Sequence, residues 1–377
     1  MQALILRRPG DLITGEIPQP IPNDHEVRIR VDAVGVCGTD FHIFEGSANY
    51  NVDSQRRPIS LDRQAQVLGH EFCGTIETLG AAVERWPLGQ RVIVDQVRTC
   101  ISDRRKSVCE FCESGDSHQC ERGREYGITG LPGAFAEYMT VPDTNVVPVP
   151  DGLSAVEAAL VEPLGCVLHA LDRMEQAANR YWFHGSHPIR SVLIVGGGPA
   201  GLLFLQCLRA IRKFEGRIIV ADRRPHSLDL AARFGGSPVA VTGDDPASVV
   251  LKANGGAAFE CIIEATGNGR VLDWLPLVAR RQATLLLYGA GHGNLKSGCL
   301  TPWQAMEFTI STSAGASGRI APDGTPLTYA RALEAIADGR INVADIVTHR
   351  YPDLESLVHA FTQDSKLPEY VKGVMAS

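Results

Sequence analysis

Apolar positions change rhythm along this chain. Over roughly the first 165 residues they form short runs, such as Glu26-Val27-Arg28-Ile29-Arg30-Val31 and Arg91-Val92-Ile93-Val94, separated by Pro and Gly turns. That pattern predicts short β-strands in a small, irregular barrel. From Ser191 the runs become continuous: Ser191-Val192-Leu193-Ile194-Val195, Arg217-Ile218-Ile219-Val220, Phe259-Glu260-Cys261-Ile262-Ile263 and Ala283-Thr284-Leu285-Leu286-Leu287. Strands of this kind are buried on both faces. Helical stretches over 200–213, 227–234 and 269–279 lie between them, so this part predicts a parallel, doubly wound sheet. A helix is expected over 327–339, and the last segment is expected to return to the first domain. The expected boundaries are therefore 1–165, 166–313 and 314–377, with a cysteine-rich lobe at 95–125. Residues 47–66 and 179–190 carry the least pattern and are expected to be loops or linker.

A chain of 377 residues exceeds one ordinary core, which agrees with two domains. A formal charge of −7 argues against a nucleic-acid or anionic-membrane surface and leaves a small molecule as the expected partner. The start of the chain lacks a signal-peptide layout and no run of eighteen apolar residues occurs, so a soluble, cytoplasmic protein is expected. The ten cysteines then read as metal ligands and buried thiols rather than disulfides.

Gly196, Gly198 and Gly201, with Pro199 and Ala200 between them, follow an apolar strand and open a helix. Backbone N–H groups and a helix N-terminus can there meet a pyrophosphate. Asp222 ends the next strand, twenty-one residues after Gly201. Its carboxylate can accept from ribose hydroxyls and repel a 2′-phosphate, which favours NAD over NADP; the plainer alternative is an Asp that caps a turn. Arg223 and Arg224 adjoin this site and could welcome a phosphate, although solvated turn positions are the expectation for both.

The densest chemistry lies in Cys37-Gly38-Thr39-Asp40-Phe41-His42, followed by Gly69-His70-Glu71 and, much later, Glu162-Pro163. A thiolate, an imidazole and a carboxylate could converge on one zinc ion, with a hydroxyl and a second imidazole nearby to carry a proton. Cys37 and His70 are the firmest ligands; Glu162, in an apolar setting, is the expected third and Glu71 its rival. Taken singly, Cys37 and His70 would read as a core thiol and a core histidine.

These motifs resemble those of the zinc-dependent medium-chain alcohol dehydrogenases, in particular their polyol, sugar and threonine dehydrogenase branch, over nearly the whole length. The resemblance implies a two-domain α/β protein, a GroES-like β-barrel catalytic domain plus a Rossmann sheet, with Cys37, His70 and an acidic residue on the catalytic zinc. It implies a proton relay through Thr39 and His42, with Asp40 orienting the histidine ligand. Glu162-Pro163 resembles the polyol branch, where other alcohol dehydrogenases carry a Cys. Cys109, Cys112 and Cys120 match the last three ligands of the family's structural-zinc lobe, but eight residues instead of the usual two separate Cys100 from Cys109. Loop-closure entropy for six extra residues is on the order of 1 kcal/mol, against roughly 10 or more for a four-ligand zinc, so a second zinc is expected.

The remaining cysteines, Cys73, Cys166, Cys207, Cys261 and Cys299, are expected to be packed or loop thiols. Asn49, Tyr50, Asn51, Gln55, Arg56 and Arg57 either border the substrate or form a solvated loop. The activity expected is NAD-dependent oxidation of a secondary alcohol in a sugar, polyol or cyclitol by a homodimer or homotetramer. Oxidation of a threonine-like amino alcohol is the alternative within the enzyme class. A dinucleotide-binding module with a decayed metal site is the alternative outside it.

Overall fold

The computed structural model describes residues 1–376 other than 54, 56, 292–299 and 317. Arg56 and Cys299 therefore lie outside the described residues. The chain forms two compact units, one of residues 1–165, 315–339 and 347–377, the other of 166–314 and 340–346.

The first unit is built on a mostly antiparallel sheet in the order Val347–Tyr351, Lys372–Ala376, Glu26–Gly35, Glu71–Leu79, Arg91–Val94, Val146–Pro148, with Tyr138–Pro142 also paired to Glu26–Gly35. The C-terminal strand pairs Val374 with Gly35 and so returns to the strand that leads into Cys37. Its core gathers Leu4, Ile29, Leu68, Ile76, Phe135 and Phe361. The helix Leu354–Thr362 supplies Phe361, which packs against the rings of Phe41 and Phe44 at 5.2 Å. That contact seats the helix Gly38–Glu45, the one carrying Thr39, Asp40 and His42.

The second unit is a six-stranded, all-parallel sheet in the order Ser237–Ala240, Arg217–Asp222, Ser191–Val195, Phe259–Glu264, Ala279–Leu287, Thr309–Thr312. In chain order this is 3-2-1-4-5-6, and it is the doubly wound sheet that the continuous apolar runs predict. Ser191–Val195 is buried along its whole length, as a central strand covered on both faces must be. The turn after it bends through Gly196 at φ 106°, and a Cβ at Gly201 would overlap the Gly196 carbonyl oxygen. Only glycine lets the helix start this close to the strand. Pro199 stands in the first helical turn, where its missing N–H costs nothing.

The helix expected over 200–213 changes pitch midway: Pro199–Gln206 is α-helical and Cys207–Ile211 a π-helical turn. Arg209 on that turn donates to the carbonyls of Phe214, Gly216 and Gly235 at 2.6 to 3.1 Å, closing the loop before the next strand. The segment 340–346 joins this unit through Gln206, which accepts from Asn342 N at 2.7 Å and donates to Asn342 O at 3.0 Å. Neither 47–66 nor 179–190 holds a helix or multi-residue strand among its described residues. The nine described cysteines are all free, and no helix of the described residues is long and apolar enough to cross a membrane.

Gly201→Ala should lower unfolding free energy by about 1–3 kcal/mol, the cost of forcing a methyl into a filled site. Urea unfolding followed by tryptophan fluorescence measures the loss, and an unchanged midpoint would show that the turn can open.

Candidate active site

Cys37 occupies extended backbone (φ −94°, ψ 159°) and caps the helix Gly38–Glu45. Asp40, fully buried, accepts the Cys37 N–H at 2.8 Å and the Gly69 N–H at 3.3 Å. Each bond satisfies a backbone donor that would otherwise be orphaned at a helix start or tight turn. The same carboxylate lies 3.6 Å from His70 Nδ1. Gly69 makes the turn at φ 91°, where a Cβ would stand 2.6 Å from the Phe135 ring.

The ligand atoms of Cys37, His70 and Glu71 consequently lie within 4.8 Å of one another, with His70 and Glu71 buried and Cys37 half-buried. Thiolate, imidazole and carboxylate suit zinc, and three protein donors leave a position open for water or substrate. Burial disfavours the charged form of His70, but the Asp40 carboxylate and Cys37 sulfur outweigh it and raise its pKa well above the ordinary value. Such surroundings attract a cation, so the residues fit the metal.

Glu71 has a second partner that sequence reading missed. It forms an ion pair with Lys372, whose Nζ also donates to Val36 O at 2.9 Å. Lys372 is 2 % exposed on the C-terminal strand; a lone Lys inside Tyr370-Val371-Lys372-Gly373-Val374-Met375 was the available signal. Glu162, the third ligand expected from sequence, is buried at the second position of the helix Val161–Glu175 and is not in the cluster with Cys37 and His70. Thr39 and His42, three apart on one helix and half-buried, share a face; His42 Nδ1 is 3.4 Å from Ser47 Oγ.

In the second unit Asp222 ends its strand and accepts from Gly197 N at 2.6 Å, from Arg224 N at 2.8 Å and from Arg224 Nε at 3.2 Å. Burial works against its charge, yet the Arg224 guanidinium and these N–H groups prevail and lower its pKa. Arg223 is exposed, whereas Arg224 is not the solvated turn residue expected. It is half-buried against Asp222, and its guanidinium reaches to within 3.7 Å of where a Gly198 Cβ would stand. Arg224 thus borders the glycine turn itself.

The sulfurs of Cys100, Cys109, Cys112 and Cys120 form a second cluster within 4.8 Å, with Cys120 at 3.5 Å from Cys100 and 3.8 Å from Cys109. The long first spacing is absorbed by a pinned loop. Arg98 binds Asp103 at 2.7 Å, and Arg104, in the left-handed region at φ 49°, binds both oxygens of Asp143 at 2.7 Å. The N–H groups of Cys112 and Glu121 pull the Cys109 pKa down to about 6, while burial pushes Cys112 up. Four convergent sulfurs with one poised to ionise suit a closed, structural zinc.

Residues 23–151 match the alcohol dehydrogenase GroES-like domain and residues 199–338 the zinc-binding dehydrogenase domain. L-galactonate-5-dehydrogenase of Escherichia coli (strain K12) is 31% identical over 378 residues, covering 100% of this chain and 98% of that protein. D-arabinitol dehydrogenase 1 of Uromyces fabae is 29% identical, covering 93% and 90%. The alcohol dehydrogenase structure from Escherichia coli CFT073 solved with NADH superposes with a TM-score of 0.77 at 24% identity, over 100% of this chain and 99% of that one, which shows a shared fold. The chain belongs to the zinc-binding, GroES-like alcohol dehydrogenase family.

Asp40→Ala strands the N–H groups of Cys37 and Gly69 and should cost about 2–6 kcal/mol at roughly one to three per orphaned group. Zinc affinity at Cys37 and His70 should fall roughly 10- to 100-fold. Urea unfolding and competition with a chelator read the two effects; a variant that keeps both would sever Asp40 from the site. Cys112→Ser should release one zinc per chain and lower Tm while the other zinc stays, as measured by metal analysis and calorimetry.

Proposed function

We propose that this protein oxidises a secondary alcohol of a small polyhydroxylated molecule with NAD. Cys37, His70 and Glu71 would hold the catalytic zinc, with Glu162 as the alternative carboxylate, and Cys100, Cys109, Cys112 and Cys120 the structural one. The observation carrying this reading is the gathering of the Cys37, His70 and Glu71 ligand atoms within 4.8 Å beside the helix that presents Thr39 and His42. The sugar-acid and polyol names of its relatives support the substrate class.

A bound zinc supplies Lewis-acid polarisation of the alcohol oxygen, and NAD accepts the hydride as its own chemistry. The protein's residues manage position and protons. Asp40 fixes the cap at Cys37 and the turn before His70 and holds the imidazole side of the site. Thr39 relays the hydroxyl proton of the substrate, releasing its own as it accepts, and His42 passes it to solvent. Gly196, Gly198 and Gly201, with Pro199 and Ala200, cradle the pyrophosphate; Asp222 reads the ribose, with Arg223 at its edge. A homodimer or homotetramer and a cytoplasmic address belong to the same proposal.

The zinc-loaded protein, screened with NAD against polyols, sugars, cyclitols and amino alcohols, should form NADH best with a polyhydroxylated alcohol; full zinc loading with no NADH from any of them contradicts the reading. Thr39→Ala should lower kcat by roughly 10² or more and His42→Ala by less, since water can replace a terminal shuttle. Equal pH-rate profiles for wild type and both variants would refute the relay. Asp222→Ser removes the ribose acceptors and the charge that repels a 2′-phosphate and should raise the NADP-to-NAD ratio of kcat/KM by about tenfold or more; an unchanged ratio removes the ribose role.

A further inference from the structure

Two carboxylates flank the glycine turn, and the mechanism above uses only one of them. Val195 ends the central strand of the parallel sheet and pairs with Ala221 on one side and with Glu264 on the other. Strand order reverses between Ser191–Val195 and Phe259–Glu264, so the crevice that such a sheet offers a ligand opens at this point. Asp222 stands on the first side and Glu264 on the second.

Glu264 is fully buried, and its carboxylate folds back on the turn that follows it. Its Oε1 accepts the N–H of Thr266 at 2.7 Å and of Gly267 at 3.2 Å and also the Thr266 hydroxyl, while Oε2 accepts the Gly267 N–H at 3.3 Å. Its backbone carbonyl takes the N–H groups of Tyr288 and Gly289, both at 2.9 Å, from just beyond the next strand. Thr266 Oγ1 in turn accepts from Asn268 N at 3.0 Å, and Asn268 caps the helix Gly269–Val278 by accepting from Arg270 N at 3.1 Å. Packing is as tight as bonding here: a Cβ on Gly267, at φ 68°, would overlap the Ala290 carbonyl oxygen, and one on Gly289 would overlap Gly267 N. A buried polar group costs free energy unless its partners are supplied, and the turn that Glu264 shapes supplies them. That network sets where residues 265–267 stand against the glycine turn. Ala265 N donates to Val195 O at 2.9 Å, and a Cβ on Gly196 would lie 2.9 Å from the Thr266 methyl.

We propose that Glu264 is a positioning residue for the dinucleotide: through Thr266 and Gly267 it fixes the wall that receives the half of the cofactor beyond the pyrophosphate, as Asp222 serves the adenosine half. This role rests on the NAD reading above and extends it across the glycine turn. A dinucleotide with its adenosine ribose at Asp222 and its pyrophosphate at the helix start continues away from Asp222, toward the end of Phe259–Glu264.

Calorimetric titration of the zinc-loaded protein with NADH and with ADP, which lacks the second half, is the test. Glu264→Leu should weaken NADH roughly 10- to 100-fold, the range of two or more lost hydrogen bonds, and leave ADP within about threefold of wild type. Glu264→Gln, whose amide oxygen can take the place of Oε1, should keep NADH within about threefold of wild type. Zinc content should not change in either variant, since both candidate zinc clusters lie in the other unit. If Glu264→Leu does not fold, Thr266→Val removes only the hydroxyl that links Glu264 to Asn268 and should weaken NADH by roughly 3- to 10-fold with ADP unmoved. Equal losses for NADH and ADP, an unmoved NADH affinity beside a lowered Tm, or a Gln variant as weak as the Leu variant would make Glu264 a support of the whole sheet and overturn the proposal. Wild type that binds neither ligand removes the dinucleotide reading, and this role falls with it. Binding decides the matter without turnover, so a protein that takes up NADH but oxidises no alcohol counts against the dehydrogenase reading alone.

Discussion

The buried carboxylate of Asp40 is the interaction on which the rest of the proposed metal centre depends. A charge with no exposed surface is tolerated only where donors surround it; the donors here are the N–H of Cys37 and the N–H of Gly69, and the His70 imidazole lies 3.6 Å away. Those partners sit at the start of a helix and at the turn into a strand, about thirty residues apart in sequence. One side chain thus caps a helix, closes a turn and brings a thiol and an imidazole together. A second buried pair supports the same place: Lys372 ties Glu71 to the Val36 carbonyl, so the C-terminal strand pins the segment that leads into Cys37.

The dinucleotide turn follows a similar rule. Asp222 is held by Gly197 N–H and by Arg224, so its oxygens are committed before any ribose arrives. A ribose diol would compete with Arg224 for those oxygens. Under the proposed ribose role of Asp222, cofactor choice would be a contest between that carboxylate and its own neighbouring arginine.

Much of this was legible in sequence because it is local. The i, i+3 placement of Thr39 and His42, the glycine spacing after Ser191–Val195, and the continuous apolar runs of a parallel sheet are short-range patterns with direct physical readings. The cysteine lobe was legible despite its long first spacing, since closure entropy grows slowly with loop length. What escaped depends on contacts between distant segments. Lys372 meets Glu71 across some three hundred residues, and the 340–346 segment joins the second unit through Gln206. The third carboxylate turns on the same kind of contact: the sequence favours Glu162 with Glu71 as its rival, whereas the carboxylate gathered with Cys37 and His70 is that of Glu71.

Zinc-edge anomalous diffraction from crystals of the purified protein tests the central claim most directly. Two anomalous peaks per chain are predicted, one within the four sulfurs of the cysteine lobe and one bonded to Cys37 Sγ at about 2.3 Å and to a His70 ring nitrogen at about 2.0–2.1 Å, with Asp40 still bridging Cys37 N and Gly69 N. A zinc-replete crystal with no peak at Cys37 and His70, or one in which Asp40 has left both N–H groups, would contradict the account.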